Sequence, residues 1–306
     1  MGFAIDLESV TTFQAPKPDQ VANHLQNHVP TGPSRLAAWL PIAALVAAVL
    51  VTMTVQEGPA QMLPWIILLA VFAMTGHRVR TVRHLESQVG RIQELAMLRH
   101  YPGAARLAWR LIPKLVTMPA LHGRTVAFMA HVFDQVRAYD AAIVAYDYVL
   151  EHLPNQHPGA VPIQIHRTIA QLATDQLTAA DQTLRRLRNS DATRSHPALA
   201  AAMRLAFLFQ QVRTNHFAEA AESSTTVLDE LRPLGVDAGF GHGLMALACH
   251  MQGLQEGQAT SAEAATWWSR ATLLLEPDVL VERFGELVTV ADCYRPHEPR
   301  PPATGP

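Results

Sequence analysis

The chain repeats itself, and that constrains its fold more than any other feature. In YDAAIVAYDYVLEHLPN, residues 139–155, Ala142 is followed by Tyr146 four positions later, then by Val149, and Pro154 closes the segment. The phrase recurs as Ala180, Leu184, Leu187, as Ala220, Ser224, Val227, Pro233, and as Ala264, Trp268, Ala271, Pro277, with an earlier copy in Ala104, Ala108, Leu111, Pro113. The anchoring alanines stand 38, 38, 40 and 44 residues apart. Spacings of four and seven put these side chains on one helix face, where a small residue admits a neighbouring helix and the next residue fills the groove. Proline then ends the helix. Each later copy is preceded by another helical stretch, over 122–136, 161–174, 198–212 and 241–254, and no segment alternates apolar and polar residues over strand length. The expected fold class is all-α, built from helix pairs.

This phrase resembles the tetratricopeptide repeat (TPR) family. The strongest unit, Gly123 to Gln156, matches a 34-residue frame, with Met129, Ala130 and Phe133 at the first-helix positions and Ala142, Tyr146, Val149 and Pro154 at the second-helix and terminal ones. The other units match mainly in their second helix, so the resemblance covers roughly residues 85–280. It implies an α-solenoid of about four to five helix pairs, stable only as an array. It further implies a concave surface lined by first helices, presenting Arg124, Phe128, His131 and Asp134, then Ile165, His166 and Ile169, then Leu205, Phe209 and Arg213. Family members that bind chaperones hold a C-terminal carboxylate with a Lys and Asn set, but the matching positions here are Ala127 and His131. The carboxylate clamp is therefore not supported, and a helix or extended peptide lying along the groove is the expected ligand.

Two segments ahead of the repeats are free of charge. Leu36 to Val55 holds twenty residues with no ionisable side chain, about 30 Å of helix at 1.5 Å per residue. Met62 to Gly76 adds fifteen more after the turn that carries Glu57, enough to span only by tilt, recruitment of neighbours or local bilayer thinning. Lys17 and Arg35 precede the pair, and Arg78, Arg80, Arg83 and Arg91 follow it. The expectation is a transmembrane hairpin over 36–79, in contact with lipid through 36–76. The chain would then be integral to the membrane, with both termini and the repeats cytoplasmic. Without a charge inside either span, an anchor is favoured over a transporter.

Chemistry is sparse. A balance of 24 Lys+Arg against 26 Asp+Glu supplies no cationic field, so nucleic acid is not an expected partner. Cys249 and Cys293 cannot make a disulfide framework or a thiolate metal site. Of the 15 histidines, only His24 and His28 fall at i, i+4, which reads as a solvated helical turn. No phosphate-binding loop, nucleophile elbow or dinucleotide fingerprint occurs, and no small-molecule substrate is evident. The glycines of GFGHG, residues 239–243, read as a turn, and Trp268 as a core residue equivalent to Tyr146.

The sequence thus divides into a polar tail (1–35), a membrane hairpin (36–79), a repeat domain (80–290) and a Pro-rich tail (291–306). It predicts a non-enzymatic scaffold, without cofactor or metal, that recruits a protein or peptide at the cytoplasmic membrane face. The partner-binding residues would be Arg124, Phe128, His131, Asp134, His166, Phe209 and Arg213. The rival reading is a structural subunit of a larger membrane complex, with the hairpin as its assembly interface.

Overall fold

The computed structural model describes residues 15–31, 46, 63–153, 157, 159–258 and 260–294. Every element of regular structure among them is helical. The chain divides into two compact units, Met1–His152 and Leu153–Pro306.

The first unit contains α1 (Pro18–Gln26), α2 (Leu63–Met97), α3 (Tyr101–Leu111), a 3-10 turn at Ile112–Leu115, α4 (Pro119–Gln135) and α5 (Tyr139–His152). Helix α3 packs on α2 and α4, α4 pairs with α5, and α1 lies on α5. The core holds Ile92, Leu111, Leu115, Met129, Phe133 and Tyr146, all fully buried. Residues 18–26, read from sequence as part of a polar tail, are helical because Pro18 and Asp19 open a first turn and Val21 and Leu25 bury one face.

The second unit contains α6 (Ala160–Ala173), α7 (Leu177–Arg188), the short α8 (Asp191–Ser195), α9 (Pro197–Arg213), α10 (Phe217–Glu222), α11 (Ser224–Leu231), α12 (Ala238–Gln255), α13 (Ala262–Leu274), α14 (Pro277–Arg283) and α15 (Val288–Tyr294). Helix α12 is its axis, packed against α9, α10 and α13 and apolar nearly all round. The glycine cluster proposed as a turn lies inside its first two turns. There the glycines admit close neighbours: a Cβ at Gly241 would stand 2.2 Å from Leu231 Cδ1, and one at Gly243 2.9 Å from Leu287 Cδ1.

The repeat phrase is written into the packing. Ala104, Ala142, Ala180, Ala220 and Ala264 are all completely buried. The partners four and seven positions on, such as Tyr146, Leu184, Trp268, Val149 and Val227, are buried with them; Ser224 is half-buried. A second periodicity lies in the backbone. Arg99, Arg137, Asp175, Asn215 and Gly257 have φ of 58°, 62°, 60°, 59° and 81°, at intervals of 38, 38, 40 and 42 residues. After each, the next amide donates to a carbonyl five residues back: His100 to Leu95, Ala138 to Phe133, Gln176 to Gln171, His216 to Gln211 and Gln258 to Gly253, at 2.8–2.9 Å. This 6→1 bond with a left-handed residue is the Schellman cap. One helix terminator thus recurs five times, and the molecule is an all-helical, repeat-like bundle.

The membrane expectation is corrected. Among the described residues no helix is long and apolar enough to cross a membrane. The first proposed span, 36–55, lies outside the described residues except for Val46. In α2 the uncharged stretch runs only from Leu63 to Gly76, 14 residues, about 21 Å against a hydrocarbon core of about 30 Å. The same helix then takes in His77, Arg78, Arg80 and Arg83 and joins the core through Leu85, Val89 and Ile92. The transmembrane hairpin, the lipid contact over 36–76 and the integral-membrane localisation are accordingly set aside.

Candidate functional site

The second unit carries a cleft of about 1000 Å³ between α7 and α9, closed at its ends by α8, α10 and α11. Helix α7 offers Leu177, Asp181, Arg185 and Arg188, and α9 offers Met203, Arg204, Phe207 and Gln210, with Thr214 just past its end. Both sets follow the three-to-four residue step that puts side chains on one helical face. The opposite face of α9 holds Leu205, Leu208, Phe209 and Val212 in the core. The helix is wedged between core and cleft because its polar residues 204, 210, 211 and 214 share the stripe with Met203 and Phe207.

Charges in the cleft are largely fixed in pairs. Arg185 Nε lies 2.9 Å from Asp181 Oδ2, and Gln210 Nε2 donates to Asp181 Oδ1 at 3.0 Å, tying α7 to α9. Across the cleft Arg204 Nε lies 2.8 Å from Glu230 Oε2. The Arg188 guanidinium instead stands over the Phe207 ring, 5.7 Å from its centroid, with no carboxylate partner among the described residues. In the wall, Gln211 Oε1 is buried without a hydrogen-bond donor. The cleft therefore combines an aromatic floor, an aliphatic edge at Leu177 and Met203, a cation free of ion pairing, and an unfilled acceptor. A polypeptide supplies the matching groups: apolar side chains, backbone N–H and a carboxylate or carbonyl.

One pair there invites a catalytic reading. His216 Nδ1 stands 2.7 Å from Thr214 Oγ1. The hydroxyl, however, points its proton at the Gln210 carbonyl, 2.9 Å away, so it accepts from the imidazole and is not activated as a nucleophile.

The seven sequence-derived groove residues lie elsewhere. In the first unit, Arg124 is exposed on α4, donates to Gln93 Oε1 at 3.1 Å and lies over the Phe128 ring at 5.4 Å. Phe128 and His131 are half-buried on the same face of α4, and Asp134 is fully buried. In the second unit His166 is half-buried on α6, and Phe209 packs on Phe284 with ring centroids 4.6 Å apart. Arg213 bridges Asp175 and Glu286. None of the seven lines the cleft. The signal that locates it is the second polar-and-aromatic stripe of α9, which the family frame passed over in favour of Leu205, Phe209 and Arg213.

Cys293, read from sequence as part of the Pro-rich tail, instead sits on α15 with its Sγ 3.8 Å from His250 Nε2. Comparison with protein-family models, with curated proteins and with solved structures gave no match, so the repeat-like architecture rests on this chain's own geometry.

Proposed function

We propose that this chain is a non-enzymatic, TPR-like adaptor that holds a peptide segment of a protein partner in the cleft between α7 and α9. The observation that carries the reading is the composition of that cleft: Phe207 with Arg188 stacked over it, flanked by Met203 and Leu177, and rimmed by the Asp181–Arg185 and Glu230–Arg204 pairs. Fixed pairs preorganise the walls, so little side-chain ordering accompanies binding. The aromatic with its guanidinium is the residue combination most often dominant in such interfaces. The repeated helix pairs and their recurrent caps supply the rigid frame, which is the physical content of the TPR likeness. The testing experiment is selection of peptides from a random display library on the wild-type chain, with Phe207→Glu as the counter-target: peptides retained by the first and lost on the second support the reading.

A second reading, a subunit of a larger assembly, is favoured by one observation. The N-terminal half of α2 leaves Trp65 70% and Phe72 81% exposed, with Ile66, Leu69 and Met74 beside them. Contiguous apolar surface of this kind marks contact sites. A defined oligomer that Phe72→Glu converts to monomer, measured by light scattering, supports it.

A further inference from the structure

Helix α1 is seated on the first unit by two aliphatic side chains and by an unusual number of imidazoles. Val21 and Leu25, one turn apart, are fully buried. His24 lies flat on Trp109 of α3, with ring centroids 3.9 Å apart and planes 11° from parallel, and its Nε2 lies 3.2 Å from the Trp109 carbonyl. His28, just past the helix, has Nδ1 2.7 Å from the His24 carbonyl. On the other side of the interface, His122 of α4 is fully buried, with no well-formed hydrogen bond at either ring nitrogen among the described residues, and it faces Tyr148 of α5 at 5.9 Å. His152 stacks on the same tyrosine at 4.2 Å and turns Nδ1 to the Tyr148 carbonyl at 2.8 Å. Three of the rings thus have a nitrogen committed to a backbone carbonyl.

We propose that α1 is a proton-released latch, held on the helical stack while His24 and His122 are neutral and expelled when they become charged. An imidazolium at His122 would be fully buried with only the His28 backbone beside it to accept its protons. The ionisable groups that act on it are His152, His28 and His24, all of like charge once protonated; no carboxylate is among them. The neighbouring Tyr148 is kept neutral by burial and by the charge of Glu151. Burial, reinforced by these histidines and only partly opposed by the His28 backbone, pushes His122 down to about 4, and burial followed by His28 lowers His24. A histidine depressed in the docked state stabilises docking fully above its ordinary value of about 6.5 and loses that contribution as pH falls toward 4. Release uncovers the apolar seat of Val21 and Leu25, which takes an amphipathic helix. The inference stands independently of the cleft in the second unit.

Hydrogen exchange of the full-length chain, corrected for intrinsic pH dependence, tests it through the amides of residues 18–26. If release restores His122 to its ordinary value, protection of α1 falls on the order of 20-fold between pH 7 and pH 5, while α3 to α5 hold theirs. In His122→Met, which cannot be charged, protection changes less than about threefold. PH-independent protection in the wild type, an equal loss in His122→Met, or loss in step with α3 to α5 overturns the latch. Should His122→Met fail to fold, the ring of His122 in the wild type is titrated by NMR: a midpoint below pH 5.5 supports the latch, and one at or above 5.5 overturns it.

Discussion

Arg213 Nη1 stands 2.5 Å from Glu286 Oε1, joining the last residue of α9 to a turn 73 residues further along the chain. A second arm of the same guanidinium reaches Asp175, the left-handed residue of the α6–α7 cap. Burial works against the charge, but the two carboxylates outweigh it and raise the guanidinium above its ordinary value. Glu286 is 27% exposed and Asp175 76%, so the two arms are unequal. Removing the buried partner leaves a charged donor unpaired, whereas the exposed arm is screened by water.

Urea unfolding of the second unit is therefore expected to show Arg213→Met less stable by about 1–3 kcal/mol and Glu286→Gln by about 1 kcal/mol. Asp175→Asn changes stability by only a few tenths of a kcal/mol. Equal effects from the two carboxylates would contradict this division.

The left-handed caps give a prediction of opposite sign. Arg137 adopts φ 62° at the end of α4, a conformation that costs an L-residue with a Cβ about 1–2 kcal/mol and glycine little. After glycine's greater loss of chain entropy is offset, Arg137→Gly is expected to stabilise the first unit by about 0.5–1 kcal/mol, read as a higher Tm. Arg137→Ala keeps the Cβ and gives no such gain.

His242 lies buried in α12 beside Trp267, with neither ring nitrogen hydrogen-bonded. Its pKa is lowered, first by burial and then by the charge of Arg270, against a weaker backbone interaction with Arg270. The neutral ring's contribution is present above about 6.5 and declines as pH falls below it. Urea midpoints at pH 7.5 and 5.5 should fall toward acid in the wild type and less steeply in His242→Leu. A slope unchanged by that substitution would show that this ring does not drive the acid loss.

The two thiols should differ in reactivity. Cys249 is buried, and its thiol is pushed up to about 12, chiefly by burial with Glu263 adding to it. Cys293 is exposed. At pH 8 a disulfide reagent such as 5,5′-dithiobis(2-nitrobenzoate) is expected to modify one thiol rapidly and the second only on unfolding; removal of the fast phase by Cys293→Ser assigns it.

The helix pairs were legible because each rests on a local pattern: an alanine that must be small, a larger residue one turn later, and proline beyond. Ala180 and Leu184 could be placed in the core from spacing alone. The caps were not legible, since Arg99, Arg137, Asp175 and Asn215 take a conformation usually marked by glycine, while the glycines at 239, 241 and 243 sit inside α12 for close packing. The apolar run after Met62 misled because composition does not say where a helix stops. Helix α2 carries the run directly into arginines and then into a core contact at Leu85. The cleft escaped notice for a related reason: α9 has two usable stripes, and only packing on α12 decides that Phe209 faces inward and Phe207 outward. His24 and His28 read as solvated because nothing local announces Trp109, 85 residues from His24.

The most direct measurement of peptide recognition is the equilibrium Kd of a library-selected peptide for the wild type, Phe207→Glu, Arg188→Glu and Phe128→Glu, each confirmed as folded by circular dichroism. Recognition in the α7–α9 cleft predicts at least roughly tenfold weaker binding for the first two variants and an unchanged Kd for Phe128→Glu. Unchanged affinity in Phe207→Glu and Arg188→Glu, or loss confined to Phe128→Glu, would contradict it.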